Sequence, residues 1–161
     1  MNSFYWVFYT LFKSISKAFF SWKVVNREKL IEDGPVLIVS NHQSFLDPPV
    51  LGISYEDGIY FFARKTLFQG IFKWALPLCQ AIPIDQENPD AASLKHVIRL
   101  LKSGKRVLVF PEGSRTPDGK IHDGMGGIGL ILSKTKVPVQ PLRISGAYEA
   151  FPIGARFPRL R

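Results

Sequence analysis

Residues 33–47 read DGPVLIVSNHQSFLD and contain the clearest strand signal of the chain. The apolar run from Pro35 to Val39 lies between the turn signal Asp33-Gly34 and the polar residues that begin at Ser40, which is the pattern of a fully buried strand. A second run of the same kind, RVLVF, occupies residues 106–110. These two runs predict two buried strands of a sheet.

Helical patterns alternate with the strand signals. In residues 91–103 the apolar side chains recur at i, i+3, i+4 and i+7, and Gly104 stands where a helix ends. Residues 127–134 are also predicted to be helical, and weaker strand signals lie at residues 59–63, 81–84 and 138–144. This alternation predicts an α/β domain with a mainly parallel central sheet flanked by helices and with its active groups at strand ends.

Composition limits the class of protein. The 161 residues are 46% hydrophobic and 21% charged, which favours one folded domain and excludes a disordered chain. A single cysteine, Cys79, excludes an intramolecular disulfide framework and a cysteine-rich zinc site. The net charge of +8 favours an anionic partner, such as a nucleic acid, a phosphorylated metabolite or an acidic lipid surface.

The N-terminal segment is unusually aromatic, because nine of the 21 aromatic residues lie in the first 22 positions. Lys13 and Lys17 interrupt the segment where a bilayer centre would lie, at a cost of roughly 2.5 kcal/mol or more each, so a spanning helix is disfavoured. A stripe at helical spacing instead predicts an amphipathic helix on a membrane surface: Phe8, Phe12, Ile15 and Phe19. An ordinary core-packing helix with a solvated lysine face is the alternative.

Polar residues follow the first strong strand directly, in the stretch NHQSFLD at residues 41–47. Asp47 stands five positions after His42, so its carboxylate can reach one ring nitrogen and leave the other free to take a proton. Ser44 is the only hydroxyl between them, and it lacks the context of a nucleophile elbow. We therefore expect His42 to activate a substrate hydroxyl, while a structural histidine held by an N-capping aspartate fits the same spacing.

A second polar stretch, FPEGSRTPDG, follows the other strong strand at residues 110–119. Gly113 permits close approach of the backbone, Ser114 offers a donor, and Arg115 can grip a phosphate with two parallel hydrogen bonds. Glu112 can hold Arg115 or orient a substrate amine or hydroxyl. A polar turn with a local ion pair is the alternative.

Together, the two stretches resemble the glycerolipid acyltransferase family, and within it the 1-acyl-glycerol-3-phosphate acyltransferases. Asn-His, four further residues and Asp at positions 41–47 are followed about 65 residues later by Phe-Pro-Glu-Gly-Ser-Arg, in the order that the family has. The resemblance extends from Asn26 to Phe151 and includes three more blocks, at residues 62–68, 81–85 and 137–142.

The resemblance implies transfer of a fatty acyl group from a thioester, acyl-CoA or acyl carrier protein, to the free hydroxyl of a lysophospholipid. By motif position, His42 is the general base, and Asp47 orients it and stabilises its charged form. The acceptor's glycerol phosphate meets Gly113, Ser114 and Arg115 of the second motif, and Glu112 positions that loop or the acceptor. The reaction requires no covalent enzyme intermediate, metal or other cofactor.

Some positions depart from the family pattern. The third block commonly begins with Gly and ends with an Arg assigned to the acceptor phosphate, whereas this chain has Gln80 and Gln86. Residues 124–127 read GMGG where the family often has Phe-Lys-x-Gly. Because positive charge near the expected anion is lost, a lysolipid with another head group is an alternative acceptor. The family usually continues beyond the position of Arg161, so the chain is either a minimal version or an incomplete one.

We expect an interfacial helix in residues 1–25 and an α/β acyltransferase domain in residues 26–161, working on the cytoplasmic face of a membrane without spanning it. The expected partners are the lipid surface, the lysophospholipid and the acyl donor; nucleic acid has only the net charge in its favour. A lipid-binding protein without catalysis and a thioester hydrolase are the alternatives. The former has no need of a base such as His42, and the latter would release free fatty acid.

Overall fold

The alternating apolar runs form one parallel sheet. The computed structural model describes residues 3–85 and 91–160. Within these ranges the strands are β1 (Val36–Ser40), β2 (Tyr60–Arg64), β3 (Ala81–Ile84), β4 (Arg106–Val109) and β5 (Val139–Leu142). They pair in the order β3-β2-β4-β1-β5, and each pairing is parallel. The mainly parallel α/β architecture predicted from the sequence is confirmed.

Helices connect and cover the strands. They are α1 (Ser3–Phe20), α2 (Asp47–Gly52), α3 (Phe72–Leu78), α4 (Ala91–Lys102), α5 (Gly127–Thr135) and α6 (Ala147–Ala150). Single 3₁₀ turns occur at Arg27–Lys29 and Lys65–Leu67. Among the described residues, no helix combines the length and the apolarity that crossing a membrane requires.

The bounds of every strand except β3 differ from the prediction by one or two residues. The ladder of β2 begins at Tyr60, one residue later than predicted, because Tyr60 is the first residue aligned with β4. Strand β5 ends at Leu142 and not at Ile144. Both backbone groups of Ile144 bind the side chain of Asn41: its carbonyl accepts from Nδ2 at 3.0 Å and its amide donates to Oδ1 at 2.8 Å. The side chain of Asn41 thus takes the place of the next pair of backbone hydrogen bonds between strands.

The two faces of the sheet carry separate apolar cores, because side chains alternate along each strand. Val36 and Ile38 of β1 lie in the core covered by α2 and α3, whereas Leu37 lies in the core covered by α4 and α5. All three side chains are fully buried. Burial on both faces fixes the register of β1, and therefore the position of the residues that follow it.

Helix α1 packs on the domain through one side only. Tyr5 and Tyr9 are buried against Ile53, and the Tyr9 hydroxyl donates to the carbonyl of Tyr55 at 2.9 Å, with the carbonyl of Ile53 at 3.2 Å. Burial, together with the neighbouring Tyr9, raises the pKa of Tyr5 to about 12.

The predicted apolar stripe of α1 is divided between two environments. Phe12 packs against the Tyr5–Tyr9 cluster, while Phe8, Ile15 and Phe19 are exposed together with Phe4, Val7 and Leu11. The helix therefore has a packed side and, next to it, an exposed apolar side. The core-packing interpretation accounts for the packed side of α1 but does not account for the exposed apolar side.

Candidate active site

The site lies at the carboxyl edge of the sheet, where parallel strands bring their following loops together. Neighbouring strands β2, β4 and β1 end here. Strand β1 leads into residues 41–47, β4 leads into residues 110–119, and β2 ends at Arg64. Two motifs separated by about 65 residues in the sequence thus become neighbours because β1 and β4 pair.

His42 and Asp47 form a hydrogen-bonded pair. The Nδ1 atom of His42 lies 2.8 Å from Oδ2 of Asp47. The imidazole ring stacks on Phe110 with a centroid separation of 3.9 Å and an interplanar angle of 12°. Because Asp47 occupies Nδ1 and Phe110 covers one ring face, Nε2 is the nitrogen left to exchange a proton with a ligand.

Asp47 is held in place by the backbone of its own loop. Its side chain is fully buried, and Oδ2 accepts the amide of Gln43 at 2.6 Å and that of Ser44 at 2.7 Å, in addition to His42. The prolines that follow, Pro48 and Pro49, start α2 within its first turn, where a missing N–H costs nothing. The five-residue spacing therefore produces a preorganised carboxylate and not a flexible surface pair.

The hydroxyl of Ser44 is committed to the fold. It is fully buried, donates to the carbonyl of Phe151 at 2.9 Å and accepts the amide of Leu46 at 3.2 Å. These contacts leave no accessible nucleophile within the motif, which agrees with the prediction that a substrate supplies the hydroxyl.

Glu112 joins the two loops. Its Oε1 accepts the backbone amide of His42 at 2.9 Å, and its Oε2 accepts the backbone amide of His122 at 3.1 Å. Two further bonds cross the same boundary, from the amide of Thr116 to the carbonyl of His42 and from Nε2 of Gln43 to the carbonyl of Gly119. Glu112 therefore has the geometry to position the loop, which is one of the functions that the resemblance implies for it.

The rest of the second motif borders the ligand space. Gly113 has φ +71°, in the left-handed region that favours glycine, and the flexible end of the Met125 side chain occupies the space where a β-carbon would lie. Ser114 is exposed at the rim. The guanidinium of Arg115 lies 5.2 Å from the centroid of the Phe45 ring, a cation–π contact.

A groove opens beside His42 and runs between α1, α2, β2 and α3. We call it the His42 groove. Its volume is about 740 Å³, within the roughly 300–1,000 Å³ range of small-molecule sites. Apolar side chains form most of its walls, and its polar end holds His42, Arg64, Ser114 and Arg115. This is the amphiphilic shape that a ligand with a long apolar tail and an anionic head requires.

Arg64 was not among the residues predicted for the site. It lies at the end of β2 and lines the same groove as Arg115. Desolvation lowers the pKa of Arg115, and the neighbouring charge of Arg64 lowers it further, whereas the charge of Asp47 raises it. Positive charge is thus concentrated at this end of the groove, and an anion placed there would be stabilised. The arginine in the sequence block at 62–68 was a signal, but its relation to Arg115 depends on the strand order.

The two glutamines that depart from the family pattern, Gln80 and Gln86, fall in different places. Gln80 directly precedes β3, at the amino end of the strands, whereas His42 lies at their carboxyl end. The presence of glutamine where the family has glycine therefore does not alter the site directly. It has φ +65°, its side chain fills the space above Gly58, and its Oε1 is buried without a hydrogen-bond partner among the described residues. Gln86 lies outside the described residues.

A second histidine–aspartate pair flanks the loop, since Nε2 of His122 lies 2.8 Å from Oδ1 of Asp118. The hydrogen bond from His122, followed by those from the Lys120 amide and the Thr116 hydroxyl, holds the pKa of Asp118 far below its usual range. The pair is exposed and serves to shape the loop. In the described part of the chain, no group of three or more His, Cys, Asp or Glu side chains could hold a metal ion.

Comparison with known proteins gives concordant matches. The sequence model of the family described as Acyltransferase matches residues 21–145. A 1-acyl-sn-glycerol-3-phosphate acyltransferase of Bacillus subtilis is 39% identical over 130 residues, covering 77% of this chain and 62% of the relative. The enzyme of the same name from Streptococcus pneumoniae is 36% identical over 118 residues, covering 71% of this chain and 43% of the relative.

A solved structure is similar as well. The crystal structure of the 1-acyl-sn-glycerophosphate (LPA) acyltransferase PlsC from Thermotoga maritima matches with a TM-score of 0.69 and 32% identity, over 81% of this chain and 53% of that chain. This chain therefore spans roughly half the length of the known proteins that it resembles.

Proposed function

Because the chain belongs to the acyltransferase family, we propose that it transfers a fatty acyl group from acyl-CoA or acyl carrier protein to the free hydroxyl of a lysophospholipid in phospholipid synthesis. The observation that carries the proposal is the His42–Asp47 pair at the polar end of an apolar groove. The names of the relatives support 1-acyl-glycerol-3-phosphate as the acceptor.

In the proposed mechanism Nε2 of His42 takes the proton of the acceptor hydroxyl. The oxygen attacks the thioester carbonyl, the carbon–sulfur bond breaks, and the proton passes from His42 to the departing thiolate. The buried carboxylate of Asp47 favours the imidazolium that forms between these two steps. Neither step needs a metal ion, a further cofactor or a covalent bond to the protein.

The acceptor phosphate is proposed to lie between Arg64 and Arg115. Guanidinium groups bind phosphate through two parallel hydrogen bonds, and both side chains border the groove together with Ser114. The family pattern has an arginine at the position that Gln86 occupies in this chain. Arg64 offers positive charge in place of that missing arginine. Glu112 and Gly113 are proposed to shape the loop that carries Ser114 and Arg115.

The reaction is proposed to take place at the cytoplasmic surface of a membrane. The exposed apolar side of α1 supports this placement, since such a surface in water is costly and an interfacial helix would bury it among lipid chains. The unpaired thiol of Cys79 suits a reducing compartment.

The test is product formation in mixed micelles with acyl-CoA or acyl carrier protein as donor and a panel of lysophospholipids as acceptors. Wild type should form diacyl phospholipid, most rapidly with 1-acyl-glycerol-3-phosphate. His42→Ala should lower turnover on the order of a hundred- to ten-thousand-fold, the range of general-base catalysis. His96→Ala is the matched control, because His96 lies on α4 and packs edge-on to Phe62 away from Asp47.

The alternatives give different results. Retained turnover in His42→Ala would contradict the general-base role. Free fatty acid as the main product at saturating lysolipid would indicate a thioester hydrolase. Lysolipid binding without any product would indicate a lipid-binding protein. A preference for another head group would leave acyl transfer intact and reassign the acceptor.

A further inference from the structure

A second exposed apolar surface borders the His42 groove at α3. It consists of Ile71, Phe72, Trp74 and Leu78, and we call it the α3 surface. Ile71 is 76% exposed and Trp74 72% exposed. A single exposed apolar side chain is ordinary, but four large ones within eight consecutive residues form a patch, and such patches mark contact with a partner or a membrane.

Both apolar surfaces border the same groove. Helix α1 contributes Tyr5 and Phe8 to its wall, and α3 contributes Phe72 and Leu76. Phe8 and Phe72 are each partly inside the groove and partly exposed, so the groove wall continues directly onto the two outer surfaces. An apolar chain that enters between α1 and α3 would therefore meet apolar side chains from the outside as far as the polar end of the groove.

The chemistry of the α3 surface fits lipid better than protein. Lys73 lies within it, with Nζ 5.8 Å from the centroid of the Trp74 ring. Lysine is depleted in the buried centre of protein–protein interfaces. Next to a bilayer, in contrast, its apolar stem can lie along the surface while the ammonium reaches anionic headgroups, and tryptophan is enriched at that depth. The net charge of +8 favours the same partner.

We propose that the α3 surface is a second membrane-contact element, which enters the boundary between headgroups and acyl chains together with α1. The His42 groove then opens into the bilayer between the two helices, and a lysophospholipid reaches His42 without passing through water. This inference rests on the membrane-surface reaction proposed above and adds a second anchor and an orientation to it.

Tryptophan quenching tests the contact directly. The variant Trp6→Phe/Trp22→Phe leaves Trp74 as the reporter, and Trp22→Phe/Trp74→Phe leaves Trp6 on α1. Each is mixed with phosphatidylcholine–phosphatidylglycerol vesicles whose acyl chains carry bromine near the headgroup. Quenching of both reporters is the expected result. Quenching of Trp6 alone would overturn the proposal for the α3 surface, and quenching of neither would overturn both membrane contacts.

Vesicle affinity gives a second test. Ile71→Glu/Trp74→Glu should weaken binding to the same vesicles by about tenfold or more, because two apolar contacts are lost and two negative charges face the anionic lipid. Leu130→Glu is the matched control: Leu130 is 51% exposed on α5, at the other face of the sheet. Equal affinities of the double variant and wild type would contradict the proposal.

Activity on a monomeric substrate separates the two proposals. With a short-chain lysophospholipid below its micelle concentration, the double variant should turn over at the wild-type rate, because Ile71 and Trp74 do not line the groove. Absence of turnover in wild type would count against acyl transfer and leave the quenching result standing. Loss of turnover in the double variant alone would mean that the α3 surface serves the groove itself and not the membrane.

Discussion

The proposed effect of the Asp47 charge on His42 can be tested separately from the hydrogen bonds by which Asp47 shapes the loop. Asp47→Asn keeps an oxygen that can accept the amides of Gln43 and Ser44, but it removes the negative charge that favours the imidazolium. We expect turnover to fall by at least about a hundredfold with little change in KM, since the loss concerns proton transfer.

Steady-state kinetics on Asp47→Asn and Asp57→Asn would measure this effect. Asp57 is exposed and pairs with Arg106, so the control removes a carboxylate from an ion pair away from the groove. A rise in KM at unchanged turnover for Asp47→Asn would show that the residue acts on acceptor binding.

Gln80 is predicted to cost stability. A left-handed backbone at a residue with a side chain costs on the order of 1 kcal/mol, and its buried Oε1 lacks a partner among the described residues. Gln80→Gly should therefore raise the free energy of unfolding by about 1 kcal/mol. Gln80→Ala removes the amide but keeps the strained backbone, so it should gain less. Chemical denaturation of the three proteins would measure the difference, and a less stable Gly variant would mean that packing over Gly58 outweighs the strain.

The sequence alone was sufficient to predict the site residues that interact with each other within one loop. The spacing of His42 and Asp47 is local, so the pair could be inferred directly. Arg64 could not, because its position beside Arg115 arises only when β2 pairs with β4. The two carboxylate oxygens of Glu112 accept the backbone amides of His42 and His122. These contacts could not be predicted from the local spacing of residues either.

At the scale of elements, the strands with continuous apolar runs were predictable and the short helices were not. Burial on both faces gives β1 and β4 an unmistakable pattern. Helix α2 has six residues and helix α3 has seven, which is too short for a helical period to emerge, and both contain proline. The end of β5 was misplaced because a side chain, Asn41, takes over its last hydrogen bonds.

One buried hydroxyl, that of Tyr9, adds hydrogen bonds to the apolar packing that attaches α1 to the domain. Tyr9 donates to a carbonyl from the segment that follows α2, and Lys13 donates to the Tyr9 oxygen at 3.0 Å. Tyr9→Phe should lower the free energy of unfolding by about 1 kcal/mol, the usual net value of a buried hydrogen bond. Tyr60→Phe is the control, since the structure shows no hydrogen bond of the Tyr60 hydroxyl within the described residues. Thermal unfolding would measure both, and equal shifts would mean that the Tyr9 bond adds nothing to helix docking.

At the scale of the whole molecule, charge and apolar surface should contribute separately to membrane binding. A net charge of +8 attracts anionic lipid, and salt screens that attraction as the Debye length falls from about 10 Å at 0.1 M to about 3 Å at 1 M. Affinity for phosphatidylglycerol-containing vesicles should fall by about tenfold or more over this range, while weak binding to pure phosphatidylcholine should remain.

Vesicle sedimentation across a salt series would test this division. A double-stranded oligonucleotide at the same salt concentrations is the control for non-specific attraction to polyanions. Oligonucleotide binding as tight as vesicle binding would favour a nucleic-acid partner, and salt-independent vesicle binding would mean that charge plays no part.

The strand order also has a consequence for how the chain folds. Strand β1 lies between β4 and β5, partners about 70 and 100 residues further along the chain, and it has no neighbour from its own part of the sequence. Parallel pairing over such distances is slow, because the chain loses conformational entropy on closing the loop before the stabilising contacts between the strands form. The apolar strand before His42 therefore stays without a partner until β4 has been synthesised. Glu112 follows β4 directly, so the loop of residues 41–47 cannot acquire its final shape before that point.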